Sequence, residues 1–227
     1  INMTDIGSFL SGCTNLTSID LTPLSKMKKL TIIGYLISGC SSLTSVDLSP
    51  LANLTKATNI FGLLSNCTGL TSVDLSPLAT LLNVIDAGSL LSGCTGLTSV
   101  DLSPLSSMVN ITNIRYLLHN CSNLTSVIGI PHFEKVTNLE HFMYNCSKVT
   151  TPLPEFWVWY YGKTVSKTDC FTGCNATPNF PDVPVSWGGT SPEYIPSVQA
   201  SGVMMADYRA LETRIRNLEL QHNIDKN

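Results

Sequence analysis

The sequence predicts a β-rich solenoid of about 27 residues per turn, with parallel strands, a C-terminal aromatic cap and a short C-terminal helix. Three observations carry that prediction. The nonapeptide LTSVDLSPL stands at 43–51, 70–78 and 97–105 and returns as LTSIDLTPL at 16–24. Each copy follows a cue ending in cysteine, and Cys13, Cys40, Cys67, Cys94 and Cys121 are spaced 27 residues apart. A fixed period between about 20 and 50 residues marks stacked repeats, each too small to bury its own apolar face.

The units run 9–35, 36–62, 63–89, 90–116 and a shorter 117–141, with a divergent turn from Phe142. Within a unit, L-x-x-V-x-L has the inward spacing of a short strand, and Ser45 and Asp47 alternate outward around Val46. The proline that follows (Pro23, Pro50, Pro77, Pro104, Pro131) has no N–H for a ladder and ends that strand. A second apolar series, such as Leu54, Ala57 and Ile60, predicts an extended segment on the opposite wall. The LLSGC cue predicts a helical turn that closes the coil. Met3-Thr4-Asp5-Ile6 overlays Ile111-Thr112-Asn113-Ile114, so the chain is expected to start inside a repeat and to be a piece of a longer polypeptide. A missing targeting signal therefore says nothing about compartment.

From Pro152 the pattern changes. Phe156, Trp157, Trp159, Tyr160 and Tyr161 crowd together, and Phe180 and Trp187 follow. An open solenoid end exposes core and unpaired strand edges, so this block predicts a terminal cap. The resulting division is a repeat solenoid at 1–151, a divergent cap at 152–189, a linker at 190–203 and a coiled-coil-like helix with its tail at 204–227. In that last segment Met204, Tyr208, Leu211, Ile215 and Leu218 step as a heptad seam. Arg214 and Glu219 flank it at the positions where charges pair between helices. Arg214-Ile215-Arg216-Asn217-Leu218-Glu219 resembles the short trimerisation motif of coiled coils, which implies a homotrimer. A dimer and a docked single helix are the alternatives.

The cysteine-cued L-x-x-V-x-L unit resembles the leucine-rich repeats, and its cysteine placement and second Ile/Val series look most like the Treponema-type, or BspA-like, subfamily. The likeness covers about 9–189 and departs in unit length, since that subfamily usually has a shorter repeat. The resemblance implies a non-catalytic, surface-exposed recognition scaffold of the kind found in bacterial adhesins, some microbial eukaryotes and phages.

Composition narrows the function classes. The chain is 43% apolar and only 13% charged, with a net charge of -3. Nucleic acid would want a basic face and a membrane surface a polybasic patch, and neither is present. No apolar run is long enough to span a bilayer, so no membrane insertion is expected. The period of Cys13, Cys40, Cys67, Cys94, Cys121 and Cys146 argues for a ladder of buried, reduced thiols rather than a disulfide framework. Cys170 and Cys174 lie outside that regular ladder, and a local disulfide or a metal pair with His141 is the weaker reading. Asp20, Asp47, Asp74 and Asp101 form an outward row beside Ser45, Ser72 and Ser99. That row is either a solvated face whose carboxylates bond neighbouring hydroxyls or a surface for a cation, a sugar or a basic partner. The histidines occupy non-equivalent positions, and no catalytic set, metal site or cofactor site emerges. The expectation is a non-enzymatic recognition or adhesion module on an oligomeric fibre-like protein, such as a phage fibre or bacterial adhesin. Its partner would be a protein or glycan on a cell surface, and its place a cell or virion surface. A purely structural virion component and a polysaccharide-degrading solenoid enzyme are the alternatives.

Overall fold

The structure is a computed structural model and describes residues 2–192. The linker beyond 192 and the seam that includes Tyr208, Leu211, Arg214, Ile215, Leu218 and Glu219 lie outside the described residues.

One parallel ladder runs the length of the repeats. Asp5 bridges Ile32, and the series continues through Asn59, Asp86, Asn113, Asn138 and Ser166. Side-chain bonds such as Thr31 Oγ1 to Thr4 O, 27 residues apart, reinforce it. Through the cysteine cue the amides alternate. Gly62, Leu64 and Asn66 N–H donate to Gly88, Leu90 and Ser92 carbonyls in the next coil, at 2.8, 3.1 and 2.7 Å. Between them, Leu63, Ser65 and Cys67 N–H donate back to Ile60, Gly62 and Leu64 within the coil. The expected helical turn is thus a run of tight turns welded at every second residue to its neighbour. That pattern needs two left-handed residues per coil. The one before each cysteine is glycine or asparagine: Gly39 at φ 72°, Asn66 at 57°, Gly93 at 72°, Asn120 at 59°. These are the residue types that tolerate this region best.

The first wall, carrying LTSVDLSPL, differs from the predicted stack of strands. Among the described residues only β1 (Ser99–Asp101) and β2 (Ser126–Ile128) pair there, in parallel. The extent of pairing is limited locally: Asp47 Oδ1 accepts the Ser49 N–H at 2.8 Å and proline supplies no N–H, and the same bond from Ser103 to Asp101 ends β1. The chain then turns into short 3-10 helices at Thr22–Lys26, Ser49–Asn53, Ser76–Thr80 and Ser103–Ser107, each with its proline in the first turn. Proline is tolerated there because first-turn amides have no partner within the helix.

Between the walls lies a continuous core. Leu43, Leu70, Leu97 and Leu124 stack at one repeat position and Ile33, Ile60, Ala87 and Ile114 at another, all fully buried. Each such leucine contributes roughly 1.5–3 kcal/mol. Cys40, Cys67, Cys94, Cys121 and Cys146 are buried and reduced, but Cys13 is exposed. Each buried thiol donates to a carbonyl one coil earlier, as Cys67 does to Ile37 O and Cys94 to Leu64 O, at 3.2 and 3.1 Å. Cys13 sits in the first described coil. Cys174 corrects the expectation in the other direction: its Sγ donates to Met143 O at 3.0 Å and continues the ladder. Cys170 is a buried free thiol. Burial pushes the Cys67 thiol up to about 11 and the Cys174 thiol up to about 12.

Past the shorter coil, α1 (Phe156–Trp159) lays the aromatic block over the stack. Phe156 packs edge-on to Phe142 at 5.2 Å and near Phe171 at 5.6 Å, and Trp187 stacks on Phe171. Tyr160 Oη donates to Phe133 O at 2.8 Å, so the one buried hydroxyl of the block is satisfied. No helix among the described residues is long and apolar enough to cross a membrane.

Candidate functional site

The aspartate row lies where the alternation places it, exposed on the first wall. Asp47 binds both the amide and the hydroxyl of Ser49, and Asp74 does the same to Ser76, at 2.8 and 2.9 Å. Asp101 repeats the pair with Ser103, and Asp20 takes the Thr22 amide at 2.8 Å. These bonds hold the Asp20, Asp47 and Asp101 carboxyls below their usual range: the Thr22 hydroxyl leads for Asp20, the Ser49 amide for Asp47 and the Ser103 hydroxyl for Asp101. Ser45, Ser72 and Ser99 stand exposed beside the row. Each aspartate shapes the turn that opens a 3-10 helix, as Asx side chains do.

The second wall carries a different set, which sequence reasoning did not single out. Its floor is another Asx row. Asp5, Asn59, Asp86, Asn113 and Asn138 each accept the amide two residues on, from Gly7, Phe61, Gly88, Arg115 and Glu140. Asn113 Nδ2 also donates to Asp86 Oδ1 at 3.0 Å, linking adjacent coils.

Above this floor runs a strip of rings and cations. The ring of Tyr35 lies against Gly62, where a Cβ would come within 2.6 Å of it, and the ring of Phe61 lies equally close to Gly88. Tyr35 and Phe61 are 5.2 Å apart by ring centroid. The Arg115 guanidinium stands 5.3 Å from the Phe61 ring and 6.0 Å from that of Tyr116. Tyr116 stacks on His141 at 4.8 Å and His119 stacks on Tyr144 at 5.3 Å. Both stacks match the coil spacing of about 4.8 Å, because each ring sits one coil above its partner. A shallow cleft of about 470 Å³ opens along the first half of this strip, lined in part by Asp5, Tyr35, Asn59, Phe61, Asp86 and Arg115.

The strip shares the left-handed backbone that its column keeps in every coil, from Ser8 to Asp169, and adds two orphaned polar atoms. Tyr35, Tyr116 and His141 adopt φ of 56°, 58° and 54°. Left-handed backbone in a bulky residue costs of order 1–3 kcal/mol and collects at functional positions. In addition, Arg115 Nε and His141 Nδ1 are buried without a hydrogen-bond partner. His141 Nε2 faces Asp169 Oδ2 at 3.7 Å. Burial, and then His141 beside it, holds His119 below the usual histidine range. His119 and His141 are brought together because the coil that separates them is short: residues 25 apart, such as Asn120 and Asn145, are neighbours there. Allowing for those two missing residues, His141 falls in the column of Tyr116, and Tyr144 in the column of His119. That alignment was the available signal. Among the described residues no group of three or more His, Cys, Asp or Glu could hold a metal ion.

No family model matches the chain, and no curated protein does. Among solved structures the chain is similar to a leucine-rich repeat protein from Bacteroides ovatus, at 19% identity over 67% of this chain and 35% of that one, with a TM-score of 0.42. It is similar to a T. pallidum leucine-rich repeat protein at 18% identity, over 84% and 79%, with a TM-score of 0.43. A third such protein, from Eubacterium ventriosum, is 17% identical over 77% and 44%, with a TM-score of 0.36. The chain thus spans about a third of the Bacteroides ovatus protein's length.

Proposed function

We propose that this chain is a non-enzymatic recognition module of the leucine-rich repeat type, displayed on a cell or virion surface and binding its partner through the second wall. The observation that carries the reading is the strip from Tyr35 to Tyr144. It joins part-exposed rings and a cation with an unpartnered Nε on one face. Exposed aromatics with arginine are the usual anchors of binding surfaces. In this reading the aspartate row of the first wall serves its turns, and the aromatic block from Phe156 to Trp187 closes the stack. The segment 204–227 oligomerises the chain, as a trimer of a fibre-like protein.

The test is retention of the labelled full chain on a mixed array of immobilised proteins and glycans. A saturable signal on a narrow set of spots, lost in the Phe61→Ala/Tyr116→Gly double variant, supports the reading. Absence of any saturable signal rejects it in favour of a purely structural virion component. Light scattering tests the assembly: trimers that Ile215→Asp converts to folded monomers are expected, since a charge at that seam position has no apolar alternative.

A further inference from the structure

We propose that the ligand of the second wall is a neutral linear glycan, lying along the solenoid axis with one sugar per coil. The inference rests on the recognition reading above and names its ligand class.

Register is the first argument. The polar floor repeats once per coil from Asn59 through Asp86 and Asn113 to Asn138, about every 4.8 Å, whereas an extended peptide advances about 3.3 Å per residue and alternates its side chains. A peptide laid across the coils falls out of step within two of them. A pyranose in an extended chain is about as long as one coil is thick, so successive sugars meet equivalent floor positions, Asn59, Asp86 and Asn113, with the rings of Tyr35, Phe61 and Tyr116 at intervals beside them.

Chemistry is the second. A sugar ring offers an apolar C–H face and an equatorial rim of hydroxyls. The ring of Tyr35 is backed by Gly62 and left 42% exposed, which makes it a flat platform for such a face. Asn and Asp side chains and an arginine fork supply the planar acceptors and donors that hydroxyl pairs need. The Arg115 guanidinium is the donor that stands between the Phe61 and Tyr116 rings.

Charge is the third. Arg115 shares this wall with Asp5, Asp86 and Glu140, and Asp169 faces His141. A wall with that balance does not attract a polyanion, so acidic polysaccharides and nucleic acids fit it poorly.

The test is titration calorimetry of the full chain with neutral linear oligosaccharides of one to six sugars, from β-glucan, chitin, xylan and α-glucan series. One series should bind, with affinity climbing with length to about five units, the number of coils from Tyr35 to His141. Tyr35→Gly and Tyr116→Gly remove a ring but suit the left-handed backbone, so circular dichroism should be unchanged while affinity falls roughly tenfold each. Asp47→Ala on the first wall should leave affinity as it is. Binding that both glycine variants retain overturns the inference, as does no binding in any series. A chain that binds no oligosaccharide but saturates a protein spot on the array loses the glycan and keeps the recognition reading. A chain that binds nothing on either loses both.

Discussion

On the first wall, Asp47, Asp74 and Asp101 present the same carboxylate to the same partner, Ser49, Ser76 and Ser103, one coil after another. On the second wall, the position held by Tyr35 becomes Gly62, Ser89, Tyr116 and His141 in the coils that follow, though all keep a left-handed backbone. Both walls obey the repeat and each keeps an Asx row, yet on the second wall the residues beside that row vary from coil to coil. Where every coil makes the same bond, that bond serves the coil. Where the backbone is constant and the side chain varies, the side chains are answering to something other than their own coil. Stacking between coils explains part of this, since Tyr116 on His141 and His119 on Tyr144 pair in register. It does not explain the unpartnered Arg115 Nε.

The largest effect expected from breaking the comparison is in its shared backbone. Gly93→Val puts a β-branched residue at φ 72°, with its Cβ driven into the Asn66 side chain. A loss of about 3 kcal/mol or more in urea denaturation is expected. Ser89→Gly, at the other left-handed column, should instead gain up to about 1 kcal/mol. If both changes cost the same, the two columns are not strained for the same reason.

Next is the thiol ladder between the walls. Cys67→Ser should cost about 1–3 kcal/mol, because a more polar group then occupies an apolar slot. In the native protein a thiol reagent should titrate Cys13 and leave the seven buried cysteines, with all eight reacting after denaturation without reductant. The ladder also sets an alkaline limit. Raised thiol pKa values mean that the unfolded chain releases protons first. Stability is therefore full below pH 9.0 and is lost as pH rises through about 11 and 12, for Cys67 and Cys174.

A smaller effect belongs to the second wall alone. His119 is depressed in the folded state from a usual 6.5, so its contribution is present above that pH and is lost as pH falls through the lowered value. His119→Ser restores the residue of the earlier coils, Ser38, Ser65 and Ser92, and should flatten the acid limb of the stability profile. An unchanged limb would place the acid sensitivity elsewhere.

The smallest is on the first wall. Asp47→Ala with Asp74→Ala should cost about 0.5–1 kcal/mol per turn and leave binding intact. Weakened binding in that pair, with the fold unchanged, would move the recognition surface to the aspartate row and reverse the assignment of the two walls.

Sequence alone determined the solenoid, because a repeat of 27 residues forces each Leu43-type position onto the next and leaves one way to bury them. It also pointed to a column of stacked thiols, but not to the exposure of Cys13 or to Cys174 continuing the ladder. It did not reveal which wall would carry the continuous ladder. LTSVDLSPL reads as a strand by its alternation, but Asp47 and Pro50 withdraw the amides that would extend it, and only the folded coil shows where each N–H goes. Nor did it reveal the strip. Tyr35, Phe61, Arg115 and His141 lie as much as 106 residues apart in the chain and in different phases of a repeat that loses two residues in its fifth unit. They meet because glycines at 62 and 88 let two rings lie across the next coil, and because the short coil brings His141 under Tyr116. Contacts between coils depend on register summed over every preceding turn, and that sum exists only in the tertiary structure.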